Sequence, residues 1–326
     1  MCAIYSHETA PFNISVVVPA YRSEAILPHM LQELAEVLPQ LAQRFEVILV
    51  NDDSPDQTWE VICELSRRYS WVHGTNLMRN YGQHNALLCG IRSAQYDVIV
   101  TMDDDLQHPP KEIFKLLEKL TEGYDVVYGT PKDEQHTIWR ALASQLTKVV
   151  LQRAMGAETA RNISAFRVFR TELRSAFVNY GAALANIDVL LTWATRRFTA
   201  VRVQHAPRHS GDSGYTFRKL VVHAFNMMTG FTTLPLRYAT FLGFACSLFG
   251  IGVLIFVLVR YLLAGNPVPG FPFLASTIAI FSGVQLLALG IIGEYMARMY
   301  SRMMERPTYV IRSTTFDAAR SNTVSD

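Results

Sequence analysis

Three carboxylates in a row, Asp103, Asp104 and Asp105, open the segment DDDLQHPP, which ends at Pro110. Their mutual repulsion is tolerated most readily where a cation or a network of donors offsets it. Asp103, Asp105 and Gln107 alternate, so an extended backbone places them on one side. Carboxylate and amide oxygens are hard ligands, suited to Mg2+ or Mn2+ that also bridges phosphate oxygens. Two more polar clusters could join them: PAYRSE, from Pro19 to Glu24, and NDDSPD, from Asn51 to Asp56. Either one alone is also ordinary turn chemistry. Neither GxxxxGKS/T nor GxGxxG occurs in the chain, which argues against a P-loop nucleotidase and a dinucleotide oxidoreductase.

Each cluster follows an apolar run short enough for a buried strand: Ile14–Val18, Glu46–Val50 and Asp97–Met102. A fourth strand is predicted at Asp125–Tyr128. Helical periodicity covers Ala25–Phe45, Thr58–Tyr69, Gln83–Ala94 and Pro110–Thr121, the last with proline at its start. Strands alternating with helices predict an α/β fold with a largely parallel sheet covered on both faces. Ligands bind such sheets beyond the carboxyl ends of the strands, so the three clusters are expected to converge on one crevice.

From Ala239 to Val259, and again from Phe273 to Gly293, the chain runs 21 residues without a charge. A helix of about 20 residues spans the ~30 Å hydrocarbon core of a bilayer. AGNPVPGFP between the runs reads as a turn. Arg237 precedes the pair, and Arg298, Arg302 and Arg306 follow it. The excess of positive charge on the cytoplasmic side then predicts a hairpin with both outer ends in the cytoplasm. The predicted division is a catalytic domain over 1–214, an interfacial segment over 215–237, a transmembrane hairpin over 238–297 (spans at about 239–261 and 273–295) and a cytoplasmic tail over 298–326. Phe217–Leu236 fits an amphipathic helix at a lipid surface and a core helix of the soluble domain equally well.

Chain length, 326 residues, allows one large domain and a smaller appendage. A net charge of +2, with no basic run interleaved with aromatics, gives no footing for nucleic acid as a partner. The cysteines Cys2, Cys63, Cys89 and Cys246 are scattered, as expected of reduced thiols in the cytosol. Met1–Phe12 has neither the basic start nor the apolar core of a signal peptide.

VVVPAYRSE, VNDDSPDQT, RNYGQHNALLCGI, TMDDDLQHPP and GYDVVYGT occur in the order and spacing of family 2 glycosyltransferases. The chain resembles their polyprenyl-phosphate branch, the dolichol-phosphate-mannose-synthase-like enzymes. HAPRHSGDSGYTFRKL, TTLPLR, GIIGEYMARMY and ERPTYVI extend the likeness to the bacterial undecaprenyl-phosphate transferases for aminoarabinose and glucose, over Ile14 to about Ile311. The resemblance implies a GT-A domain with a split acidic metal site and inverting sugar transfer from a nucleotide sugar to a polyprenyl phosphate. It implies a multi-pass protein of the cytoplasmic membrane, embedded in a lipid bilayer, and a homo-oligomer of four copies. By motif, Pro19, Tyr21 and Glu24 line the nucleotide pocket, Asp52 holds the base, and Asp103 or Asp104 holds the donor's ribose and phosphates. Asp105 and Gln107 match metal ligands for Mg2+ or Mn2+. Arg208, Ser213 and Tyr215 fall where the family contacts phosphate near the membrane, which makes Asp103, Asp105 and Arg208 the expected catalytic set. Arg79, Arg167 and Arg170 are further candidate phosphate partners, each set against a solvated surface arginine.

The chain departs from the pattern at Arg22, Arg161 and Gly214, where relatives often carry Asn, Asp and Lys, and Lys132 stands near an expected arginine. The Asp replaced by Arg161 is the one sometimes assigned as base. A processive polysaccharide synthase should carry QxxRW and more spans, and a transporter more membrane helices; neither pattern is present. A non-catalytic membrane scaffold would have no need of DDDLQ. His84 and His108 read better as polar turn residues than as catalysts. Glu294 is expected to pair with Arg298 one helical turn away.

Overall fold

In the computed structural model, residues 12–131, 163–182, 185–204, 234–264 and 270–315 are described. The predicted strands form as β1 (Ile14–Ala20), β2 (Phe45–Asn51), β4 (Val98–Thr101) and β5 (Val126–Pro131). The predicted helices form as α1 (Leu27–Leu41), α2 (Thr58–Arg68), α3 (Gln83–Ser93) and α4 (Ile113–Thr121). A short 3-10 turn, Pro110–Glu112, carries the predicted proline start of the last helix. Further elements are β3 (Val72–Leu77), β6 (Arg167–Arg170), α5 (Ile187–Ala194), β7 (Phe198–Val203) and β8 (Ile311–Thr314).

All eight strands form one sheet in the order β7-β5-β6-β4-β1-β2-β3-β8. Its heart, β4-β1-β2-β3, is parallel, while β6 and β8 run antiparallel to their neighbours. β1 is buried along its whole length, as a strand covered on both faces must be. Leu27, Met30, Leu31, Leu34 and Leu38 of α1 pack on one face of this core. On α3, a Cβ at Gly90 would sit 2.4 Å from Val17 Cγ1, so only glycine lets that helix approach the sheet so closely.

The strands absent from the sequence expectation are weak formers or lie far along the chain. β3 reads VHGTNL, short of branched apolar residues. Gly74 within it is required, because a Cβ there would meet Ile62 Cγ2 at 2.4 Å. β8 comes from the expected tail, and its pairing with β3 returns the C-terminal residues to the catalytic sheet.

The chain divides into two units. Residues 1–215 and 305–326 form the first, and 216–304 the second. The second unit contains two helices, α6 (Leu234–Ala264) and α7 (Phe271–Met303). Leu236–Val253 and Ile280–Tyr300 are long and apolar enough to cross a membrane, with 6% and 0% of their residues buried. The two helices pack where Gly250 faces the ring of Phe281. Their remaining apolar surface, Phe241, Leu262 and Leu286 included, is exposed among the described residues, and surface of that extent needs an apolar cover. Glu294 and Arg298 form the expected ion pair at 2.7 Å. The segment Phe217–Leu236, except for its last residues, and the turn 265–269 lie outside the described residues.

Candidate active site

β1, β2 and β4 end side by side, and β1 lies between the other two, the position at which open α/β sheets bind ligands. Every one of the three following loops holds one non-glycine residue in the left-handed region: Arg22 (φ 58°), Asp53 (φ 54°) and Leu106 (φ 55°). Each such residue costs about 1–2 kcal/mol, and strain of this kind persists where surrounding contacts fix it. Those contacts are present. The N–H of Arg22 donates to Ser54 Oγ at 3.2 Å, and that of Ser23 to Thr58 Oγ1 at 2.9 Å, which ties the first loop to the second. The N–H of Tyr21 donates to Asp104 Oδ2 at 3.2 Å, and the Ser23 hydroxyl donates to the same oxygen, which ties the first loop to the third.

A fourth loop, between β3 and α3, closes the crevice. Asp52 is buried and accepts from the N–H groups of Tyr81 at 2.7 Å and Gly82 at 2.8 Å. Gly82 has φ 89°, a conformation that favours glycine. The Gln83 side-chain amide, at the start of α3, donates to Asp103 Oδ1 at 2.6 Å. The crevice, about 340 Å³ and open to solvent, is lined by Pro19, Ala20, Tyr21, Asp52, Asn80, Gly82, Gln83 and the three aspartates. Tyr21 leaves 45% of its surface exposed at the site, with the Arg22 guanidinium 5.5 Å from the centre of its ring.

Charge repulsion is stored here. Burial, then the neighbouring Asp105 and Asp104 carboxylates, push the Asp103 carboxyl up to about 6. Arg167 and the Gln83 hydrogen bond act in the opposite direction. Asp104 and Asp52 are also raised, chiefly by burial, against the hydrogen bonds they accept. Asp105 Oδ1 accepts the N–H of Gln107 at 3.1 Å, which turns the acidic loop back on itself.

Pro19, Tyr21, Asp52, Asp103, Asp104 and Asp105 thus come together as the residues of the crevice. Glu24 and Gln107 lie outside that lining, and Glu24 instead accepts the N–H of Gln57 at 2.8 Å just before α2. Arg79 is exposed, with its guanidinium 4.7 Å from the centre of the Tyr81 ring. Arg167 is neither a surface arginine nor open to phosphate: it is 2% exposed and ion-paired with Asp188. Arg170 lies 3.7 Å from Asp125. His84 Nδ1 accepts the N–H of Ile187 at 3.4 Å, and His108 stacks on Phe166. Arg208, Ser213, Tyr215, Lys132 and Arg161 lie outside the described residues.

Sequence reasoning gave no role to Ser23, Gln83 or the Tyr81 and Gly82 N–H groups. The last three belong to RNYGQHN, which follows β3; once that strand is seen, its end becomes a fourth place to look for polar groups.

Residues 15–178 match the family described as glycosyl transferase family 2. An undecaprenyl-phosphate 4-deoxy-4-formamido-L-arabinose transferase from Pseudomonas aeruginosa is 36% identical over 304 residues, covering 91% of this chain and 89% of the relative. A protein of the same name from Pectobacterium carotovorum is 33% identical and covers 93% of each chain. Among solved structures, glucosyl-3-phosphoglycerate synthase from Mycobacterium tuberculosis, in complex with Mn2+, uridine diphosphate and glucosyl-3-phosphoglycerate, superposes with a TM-score of 0.50 at 16% identity, covering 68% of this chain and 78% of the other. That likeness shows the GT-A fold. The chain therefore belongs to glycosyl transferase family 2 and is a glycosyltransferase.

Proposed function

We propose that this enzyme moves a sugar from a nucleotide donor to a polyprenyl phosphate, most simply undecaprenyl phosphate, at the cytoplasmic face of a membrane. The observation that carries this reading is the acidic crevice at the ends of β1, β2 and β4 in a chain that also holds two uncovered apolar helices. Relatives named for a transfer involving undecaprenyl phosphate align over nine tenths of the chain, apolar helices included. 4-Deoxy-4-formamido-L-arabinose is accordingly the first sugar to test.

The nucleotide belongs at the Tyr21 and Asp52 side of the crevice. Tyr21 is a part-exposed aromatic residue at the crevice, and an aromatic ring can stack on any base. Asp52 is preset by two backbone N–H groups, so its orientation is fixed before donor binding. Asp103 and Asp104 are held by Gln83, Ser23 and Tyr21 and would face the ribose and phosphates.

Among the described residues, no group of three or more His, Cys, Asp or Glu side chains could hold a metal unaided. Mg2+ and Mn2+ sites that act on nucleotides need only one or two carboxylates, with phosphate and water oxygens completing the shell. Asp105 supplies such a carboxylate at the crevice, beside the Asp103 and Asp104 carboxylates whose charge a cation would offset, and Gln107, two residues on but outside the lining, is the second donor proposed by motif. A bound divalent ion would supply Lewis-acid stabilisation of the departing nucleoside diphosphate.

No side-chain base is needed for the attack. The second pKa of a phosphomonoester is about 6, so the acceptor oxygen is already anionic at neutral pH. Inversion follows from a single in-line displacement. Arg208, Ser213 and Tyr215 are the groups proposed to hold the acceptor phosphate.

A membrane hairpin has a second line of support. Residues before α6 and after α7 belong to one sheet, so the chain must cross a bilayer an even number of times between them, and two spans satisfy that. Incubating purified enzyme in lipid nanodiscs with undecaprenyl phosphate and a panel of UDP- and GDP-sugars tests the reading. Sugar should appear on the lipid phosphate and the transfer should stop with EDTA. Transfer to water or soluble glycans alone would overturn it.

A further inference from the structure

The C-terminal strand β8 does more than complete the sheet edge. β3 and β8 shift register between Asn76 and Leu77, just before the loop that clamps Asp52. Beyond the shift, both backbone groups of Met78 are held by the tail. Its N–H donates to the carbonyl of Val310 at 2.9 Å, and its carbonyl accepts from the Arg312 guanidinium at 2.9 Å. The same Arg312 nitrogen lies 3.5 Å from Asp53 Oδ1. Asp53 is the left-handed residue next to Asp52, and neither it nor Arg312 lines the cavity. Arg312 thus bridges the two loops that the clamp of Asp52 by Tyr81 and Gly82 also joins.

We propose that Arg312 is a positioning residue for the nucleotide side of the donor pocket, locking the loops after β2 and β3 together through Asp53 and Met78. This rests on the donor reading above. One guanidinium nitrogen makes both contacts, and the planar group fixes its direction more firmly than the flexible ammonium of a lysine would. Arg312 is delivered by the residues that follow α7, so the pocket is completed only when the chain has returned from its apolar pair. Arg92 of α3 also holds this tail, donating to Thr308 Oγ1 at 3.3 Å while its other terminal nitrogen donates to the Tyr180 carbonyl at 2.6 Å.

Hydrogen exchange and steady-state kinetics on full-length enzyme in nanodiscs test this, using wild type, Arg312→Ala and Arg312→Lys. Without substrate, Arg312→Ala should speed exchange in peptides spanning Asn51–Asp56 and Met78–Gln83 by about fivefold, the scale of a partly exposed ion pair. Exchange in β1 and β4 should stay at the wild-type rate. Donor KM should rise by about the same factor, while kcat and acceptor KM hold, and lysine should recover part of the loss. Unchanged exchange at Met78–Gln83 overturns the lock. Faster exchange with an unchanged donor KM also overturns the proposal, since the loops would then not position donor. Because exchange is read without substrate, it decides the lock even if wild type transfers no sugar, an outcome that overturns the donor reading instead. Should alanine prevent folding, the lysine variant carries both measurements.

Discussion

Replacing Asp103 with Asn should make the protein more stable at neutral pH while nearly abolishing transfer. The wild-type carboxyl is pushed from 3.8 to about 6 by burial and by Asp105 and Asp104. A folded-state pKa above the unfolded one means that the folded protein binds the proton more tightly. Stability from this group is therefore full below about pH 4 and is lost as pH rises from about 4 to about 6. Two units correspond to about 3 kcal/mol at 1.36 kcal/mol per unit. Asp103 is only half-buried and lines an open crevice, so screening by water reduces this to about 1–2 kcal/mol. Asparagine removes the charge but keeps an oxygen to accept from Gln83, so the contact at 2.6 Å is retained.

Thermal unfolding of both proteins from pH 4 to 8, in the same detergent and with EDTA present, measures the difference. The variant should unfold higher at pH 7–8, by about 2–4 °C per kcal/mol for a domain of this size, and the two curves should meet near pH 4. Adding Mn2+ should raise the wild type more than the variant, because the ion relieves the repulsion that asparagine has already removed. Wild type more stable than the variant at pH 7–8 in EDTA, or a gap that does not close in acid, would refute the electrostatic reasoning.

Asp105→Asn should abolish transfer with a wild-type circular-dichroism spectrum and, because it too removes a charge that acts on Asp103, an unfolding midpoint at neutral pH no lower than wild type; full activity of this variant in EDTA-treated membranes would remove Asp105 from the metal site. Asp188→Ala should destabilise by about 3–5 kcal/mol in denaturant unfolding, since it strands the buried Arg167 charge and takes the acceptor from the Tyr128 hydroxyl at 3.0 Å. A cysteine at Asn266, between the two apolar helices in sequence, should react with a membrane-impermeant thiol reagent from outside intact cells, and labelling only after lysis would reverse the proposed orientation.

The crevice was legible because each polar cluster sits at the end of a strongly apolar run, and buried parallel strands leave little else for such runs to be. β3 was illegible for the opposite reason. His73, Gly74, Thr75 and Asn76 suit a strand only because Ile62 and Thr315 crowd its glycine and Asn51 donates to Asn76 at 2.9 Å. Those partners are tens to hundreds of residues away, and no local pattern announces them. With β3 unseen, Gln83 read as an ordinary helix residue and not as a donor at a strand end. Arg167 shows the converse limit. Next to an apolar run in RVFR it looks like a surface arginine, yet its partner Asp188 arrives from α5.

Leu106 explains how an acidic loop can be held still. It is the one apolar residue between Asp105 and Gln107, and its side chain is 5% exposed within the main core cluster. Burying a leucine is worth about 1.5–3 kcal/mol, which offsets the roughly 1–2 kcal/mol cost of its left-handed backbone. The reversal at Leu106 lets Asp105 accept the N–H of Gln107 and remain at the crevice while the chain turns toward Pro110. Glu112, immediately beyond, is buried and accepts the N–H of Gln204 at 3.2 Å, at the exit of β7. The acidic loop is thus pinned to the core at Leu106 and to the end of β7 at Glu112. The carboxylates between β4 and those two anchors are held close together against their repulsion, and that repulsion is what a divalent ion would relieve, leaving room for the negative charge of a diphosphate.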